Sequence, residues 1–318
     1  MHPAYLSTYQ QGILQQKAKE ASRLLASCNI CPRQCKVNRL KGELGFCKTG
    51  AKPKVCSFLP HHGEEPPISG SRGSGTIFFS HCNMSCLYCQ NYEFSQSGEG
   101  REVEAEELAE FMLHLEGLGC HNINLVTPTH VLPQILEALN LAVAKGLKIP
   151  LVYNTSGYET ASMIKMLDGI VDIYLADMRY ADNAMGIKYS FACDYPQYNR
   201  EAVKEMHRQV GIADIDNRGI IKRGLVIRHL VLPNNISGTE KIMKFIAAEL
   251  SPDTYISLMS QYLPCYRAIE FKKISRRLTK EEYRAAEEAM HKYGLYNGWT
   301  QGLEGLERFA GVNIKPSL

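Results

Sequence analysis

The sequence predicts an α/β fold in which a parallel sheet is covered by helices. Three observations predict it. Six short apolar runs, rich in β-branched and aromatic residues, recur from residue 76 onward. Most lack strict alternation, as strands buried on both faces should. Segments with helical periodicity separate them, and β-strands alternating with helices are joined by right-handed crossovers into one parallel sheet.

The expected strands are "TIFFS" (76–80), "NINLV" (122–126), "IPLVYN" (149–154), "VDIYLAD" (171–177), "RGLVIRHLVL" (223–232) and "TYISLMS" (254–260). After the first comes "EAEELAEFMLHLEGLG", where Leu108, Phe111, Met112 and Leu115 share one helical face and the acidic residues come early, where the helix dipole favours them. Next, "VLPQILEALNLAVAKG" sets Val131, Ile135, Leu136, Leu139 and Val143 on one face and closes on Gly146. "ETASMIKMLDG", "NREAVKEMHRQVG", "TEKIMKFIAAEL" and "TKEEYRAAEEAMHKYG" supply the remaining helices. The pattern fits either a barrel-like sheet or a doubly wound open one. No G-x-G-x-x-G follows the first strand, which counts against a dinucleotide fold.

Ahead of the strands, "MHPAYLSTYQQGILQQKAKEASRLLAS" reads as one amphipathic helix, since it lacks the apolar core of a signal peptide. "HHGEEPPISGSRGSG" reads as irregular exposed loop, with Glu64 or Glu65 over the barrel mouth as the alternative. The expected organisation is a helix plus a four-cysteine cap over 1–75, a barrel over 76–300 and a tail over 301–318. Apolar and charged contents of 45% and 22% are those of a globular protein, and a net charge of +3 implies no nucleic-acid partner. No apolar run is long enough for a membrane span, so the expected location is cytoplasmic.

Eleven cysteines in a chain with no export signal point to metal ligands rather than disulfides. Two clusters stand out. The upstream one, "CNICPRQCKVNRLKGELGFC", offers Cys28, Cys31, Cys35 and Cys47 at C-x2-C-x3-C-x11-C, a closed set suited to zinc or an auxiliary iron–sulfur cluster. The other, "CNMSCLYC", offers only Cys82, Cys86 and Cys89, directly after the first strand. Active sites of parallel α/β sheets lie beyond the C-terminal strand ends. A cubane held by three thiolates keeps one iron open for an exogenous ligand, by the logic that separates catalytic from structural zinc. Cys56, Cys120, Cys193 and Cys265 are expected as small buried hydrophobes.

On the C-x3-C-x2-C spacing, Tyr88 before the third cysteine and the strand context, the sequence resembles the radical S-adenosylmethionine (SAM) enzymes. The resemblance implies a partial (β/α)6 TIM-like barrel, a [4Fe-4S] cluster and SAM chelated to its open iron. It also implies a one-electron reductant such as a flavodoxin or ferredoxin, cleavage of SAM to a 5′-deoxyadenosyl radical, and hydrogen abstraction from a substrate. Within that group, "CQN", "YNTSGY", "YLADMRY" and "IRHLVLPN" resemble the pyruvate formate-lyase activating enzymes and their PflX-type homologues, over roughly residues 76–300.

All these pieces fall at strand ends. Asp177 can face the SAM sulfonium or ribose, or a bound cation, Arg179 or Arg228 can pair with the SAM carboxylate, and Asn154, Thr155 and Ser156 offer neutral hydrogen bonds. Gln261 and Tyr262, closing the sixth strand, stand where such barrels touch adenosine. The activases' Gly-Gly-Glu is absent. In its place stands "VTPTH" (126–130), leaving Thr127, Thr129 or His130 as substitutes and the packing of His130 on its helix as the plainer reading. The expected partners are therefore SAM, a reductant and either a glycyl radical enzyme or another peptide or small-molecule substrate. A non-catalytic iron–sulfur or zinc protein is the remaining alternative.

Overall fold

The computed structural model describes residues 2–302, so all but two residues of the expected tail 301–318 lie outside the described residues. Ten strands lie among the described residues: β1 Lys54–His61, β2 Ser74–Phe79, β3 Arg101–Glu102, β4 Ile123–Val126, β5 Leu151–Thr155, β6 Ile173–Asp177, β7 Asp214–Ile215, β8 Ile221–Leu230, β9 Tyr255–Met259 and β10 Gly298–Thr300. They form one sheet in the order β10-β9-β8-β6-β5-β4-β2-β1-β3, with β7 beside β8. From β2 through β10 every neighbouring pair on that path is parallel.

That order decides between the two architectures left open by the sequence. The parallel strands are added in chain order with no reversal, so every right-handed crossover lays its helix on the same face. A doubly wound sheet needs a switch point, and this one has none. The sheet curls into a partial barrel. Its outer face packs on the helices through Ile77, Phe79, Leu125, Tyr153, Ile227 and Leu258. Alternate residues (Val152, Ile173, Leu175 and Val226) line the bore. All six expected strands form, as do the expected helices between them.

The structure departs from expectation in four places. The N-terminal helix is two, Ala4–Gln10 and Ile13–Arg23, broken at Gly12, whose φ of 75° is left-handed. Tyr5 anchors the first to the bottom of the barrel through its hydroxyl, which donates to Ile149 O at 2.7 Å. Second, β1 and β3 add an antiparallel edge beside β2, and β10 adds a seventh parallel strand at the far edge. Third, the supposed exposed loop enters the bore. Ile68 is fully buried against Val152, Ile173, Leu175 and Val226, and Asn122 Nδ2 donates to its carbonyl at 2.9 Å. Fourth, Cys193 is exposed and Cys265 half-buried, whereas Cys56 and Cys120 are buried as expected.

Candidate active site

The loop after β2 carries the three cysteines and is held by backbone bonds from two sides. Ser85 N and Leu87 N donate to Ser190 O and Tyr189 O, at the end of the helix Asn183–Ser190, and Arg267 N donates to Leu87 O. Cys82, Cys86 and Cys89 line a cavity of about 270 Å³ at the C-terminal strand ends. Asn154, Thr155, Asp177, Arg179, Arg228 and Gln261 line the same cavity. As free thiols, Cys89 is pushed up to about 11 by burial and Cys82 further still, so they ionise at neutral pH only on binding metal.

Asp177, at the end of β6, accepts from Arg228 Nε at 2.8 Å and from the Arg179 guanidinium. Burial opposes its ionisation, but the Arg228 and Arg179 charges hold it below the usual carboxylate range. Arg228 Nη2 donates to Asn154 Oδ1 at 2.6 Å, and Arg228 Nη1 lies 3.6 Å from Glu64 Oε2. Glu64 in turn accepts from Asn154 Nδ2 at 3.3 Å. Beside it, burial pushes Glu65 up to about 7 despite the pull of Arg228. The bore segment thus brings Glu64 to the cavity wall with Glu65 buried beside it, from within the bore and not over the barrel mouth as the alternative reading of "HHGEEPPISG" had it.

Other expected contacts are placed differently. Tyr262 is buried away from the cavity, donating to Ile274 O at 2.5 Å with its ring edge-on to Tyr88. Thr155 lines the cavity, but its hydroxyl is committed to Glu159 Oε1 at 2.5 Å. Of the "VTPTH" candidates, Thr127 lines the cavity, Thr129 donates to Glu159, and His130 Nε2 bonds Ser80 O at 2.8 Å. Gly157 (φ 72°) cannot be another residue, since a Cβ would lie 2.2 Å from Asn199 Nδ2 and 2.4 Å from Asp177 O.

No local motif announced Ser190, whereas Ser156 is part of the strand-end "YNTSGY". Ser156 Oγ is buried in the cavity wall without a partner. Ser190 Oγ lies 3.0 Å from Cys86 Sγ, with Arg179 Nη1 at 3.7 Å from the same sulfur. A thiolate can only accept, so Ser190 donates to it. Ser190 then accepts from Tyr180, and Tyr180 from Tyr88, each at 2.6 Å. Hydrogen bonds to a cluster's sulfurs raise its potential by favouring the more negative reduced state. Ser190→Ala is therefore expected to lower the midpoint potential of the bound cluster by roughly 30–60 mV. A redox titration followed by electron paramagnetic resonance checks this, and an unchanged potential would remove Ser190 from the cluster's environment.

Cys28, Cys31, Cys35 and Cys47 line a separate small cavity on the N-terminal cap. In both sets the thiols surround a space rather than meet at a point. Among the described residues, no three His, Cys, Asp or Glu side chains are gathered to hold a single ion as they stand. Among them too, no helix is long and apolar enough to cross a membrane.

The residues around the three-cysteine cavity fit a cluster with one open iron. Three thiols face it, and a carboxylate–guanidinium–amide network lies where an amino-acid ligand can be paired. When bound, the cluster and SAM supply one-electron cleavage of SAM to methionine and a 5′-deoxyadenosyl radical.

Residues 76–246 match the family model of the radical SAM superfamily. An uncharacterized protein of Methanocaldococcus jannaschii is 32% identical over 293 residues, covering 89% of this chain and 80% of that one. Among solved structures, the chain is similar to methylornithine synthase (TM-score 0.46, 15% identity, covering 98% of this chain and 82% of that one). It is also similar to the FeFe-hydrogenase maturase HydG from Carboxydothermus hydrogenoformans (TM-score 0.47, 12% identity, 72% and 54%), spanning about half of that maturase. The family match over more than half the chain, which begins in the strand that leads into the three-cysteine loop, shows that this chain belongs to the radical SAM superfamily.

Proposed function

We propose that this protein uses SAM bound at the three-cysteine cavity to abstract a hydrogen atom from a substrate entering between the bore segment 62–70 and strands β9 and β10. The observation that carries this reading is a second cavity of about 650 Å³ beneath the first. It shares Gly63, Glu64, Arg228 and Gln261 with the SAM cavity and extends to Ser257 and Trp299. Such a volume suits a small molecule or one inserted side chain. The chain's part is to hold SAM by Asp177, Arg179, Arg228, Asn154 and Gln261, to screen the site from water, and to present the substrate from below. The [4Fe-4S] cluster belongs at Cys82, Cys86 and Cys89, and a flavodoxin or ferredoxin is the proposed electron donor.

The second reading is activation of a glycyl radical enzyme, as a PflX-type activase. It is supported by the strand-end resemblances, with "CQN" and "YLADMRY" at the cavity, and it requires a partner's loop to use the same opening.

One assay addresses both. The anaerobically reconstituted, reduced protein is expected to convert SAM to 5′-deoxyadenosine, and no product would overturn the enzyme reading. Adding fractions of uniformly deuterated cell extract then separates the substrates. Deuterium entering 5′-deoxyadenosine from the low-molecular-mass filtrate supports a small-molecule substrate; from the protein fraction alone, a glycyl radical on the partner supports the second reading and its absence an inserted side chain.

A further inference from the structure

The N-terminal cap holds features that the SAM site does not use. Its four cysteines lie on two tight turns that bring them around one enclosed space. Gln34 N donates to Cys31 O, Lys36 N to Cys28 O, and Cys28 N to Val37 O. Gln34, Lys36 and Lys48 all have positive φ, the cost of turning the chain sharply beside a cysteine. Gly45 lets the two turns approach, since a Cβ there would lie 2.8 Å from Cys35 Sγ.

The walls of this space are cationic. Arg39 is 1% exposed, and it lines the cavity with Arg33. Among the described residues, both guanidiniums hydrogen-bond only to backbone carbonyls, and that of Arg33, which is half-buried, also stacks over the Phe46 ring at 3.6 Å. Arg39 donates to Gly50 O and His130 O, each at 2.8 Å, and Arg33 Nε to Asn83 O at 3.0 Å. The Nη2 atoms of both are buried and unpartnered. A buried cation without an anion is costly, and four neutral thiols offer no compensating charge. His130 lines the same space, and since Ser80 O can only accept, its Nε2 donates to that carbonyl.

We propose that Cys28, Cys31, Cys35 and Cys47 hold a second, closed metal centre bound by four thiolates, whose negative charge Arg33 and Arg39 neutralise. Four thiolates around a zinc ion, or around a [4Fe-4S] cluster in its oxidised state, leave a net charge of −2, which two guanidiniums balance. The shared chemistry is a metal tetrathiolate. The centre also braces the SAM site. Arg33 holds the carbonyl of Asn83, between two residues of the three-cysteine loop, and His130 holds Ser80 at its root. This inference does not rest on radical chemistry, and its test removes that site.

The full chain with Cys82, Cys86 and Cys89 all replaced by alanine is isolated anaerobically, and its zinc, iron and acid-labile sulfide are measured. About one zinc per chain, or iron with matching sulfide, is expected to remain, and which one remains identifies the metal. Adding Cys35→Ser and Cys47→Ser is expected to abolish it. Absence of both zinc and iron from the folded three-alanine protein would overturn the proposal. Should the doubly extended variant fail to fold, Arg39→Gln in the three-alanine background is the second arm. Its metal is expected to pass to a chelator about tenfold faster, and an unchanged release rate would overturn the charge assignment.

Discussion

Cys86→Ala is expected to lower 5′-deoxyadenosine formation by about 10³-fold or more, a loss of at least about 4 kcal/mol of transition-state stabilisation. Cys86 is the buried member of the three, and its sulfur has two side-chain donors beside it, Ser190 and Arg179. Removing it deprives the cluster of a ligand and the two donors of their acceptor. The fold tolerates the change, because the surrounding loop is held by backbone bonds from Ser85, Leu87 and Arg267 that do not involve the thiol. The stability cost is that of one unsatisfied hydroxyl, about 1 kcal/mol. A drop in product without a matching drop in melting temperature therefore marks a ligand rather than a packing residue. Cys193→Ala, at an exposed thiol outside the cavity, is the control and is expected to change product by less than about twofold. Product formation by Cys86→Ala at the wild-type rate would sink the assignment of the cluster to this loop.

What the sequence revealed follows from where each signal is stored. Strands β2, β4, β5 and β6 are buried along their whole length, so both faces are apolar and the runs are legible by inspection. Strand β1 was missed because it lies near the sheet edge. Its latter half is only partly buried, and Pro60 interrupts it, so neither alternation nor a continuous run appears. The bore segment was hidden by its polarity. Glu64 and Glu65 are stabilised inside the bore by Arg228, Asn154 and Ser257, partners separated from them by about 90 residues or more, and nothing local distinguishes them from a solvated turn. The same holds for Ser190, which meets Cys86 across 104 residues of chain. Strand-end position predicted the cavity residues Asp177, Arg179, Arg228 and Asn154 well, because it depends on topology alone. It misplaced Tyr262, since two adjacent residues after a strand face opposite ways. Gln261 lines the cavity and Tyr262 turns into the aromatic core.

Arg228→Met is expected to destabilise the protein by about 3–5 kcal/mol at neutral pH, the range for breaking a buried charge pair by removing one partner. Arg228 is the one guanidinium that reaches Asp177, Asn154 and Glu64 together, and its charge also lowers the titration of Glu65. Without it, Asp177 keeps Arg179, while Glu64 and Glu65 face each other with no cation between them. The Glu65 carboxyl then titrates upward from the value of about 7 that it holds beside Arg228. A carboxyl whose pKa is higher folded than unfolded binds its proton more tightly in the folded state, so stability falls as pH rises from the unfolded value toward the folded one. The penalty in the variant is therefore expected to be larger at pH 8 than at pH 5. Urea denaturation at the two pH values measures it. Glu64→Gln on top of Arg228→Met is expected to recover part of the loss at pH 8 and little at pH 5, because it removes one of the two facing charges. Equal penalties at both pH values would show that the loss comes from side-chain packing, and the acids at the floor of the site would then carry no charge for a substrate to meet.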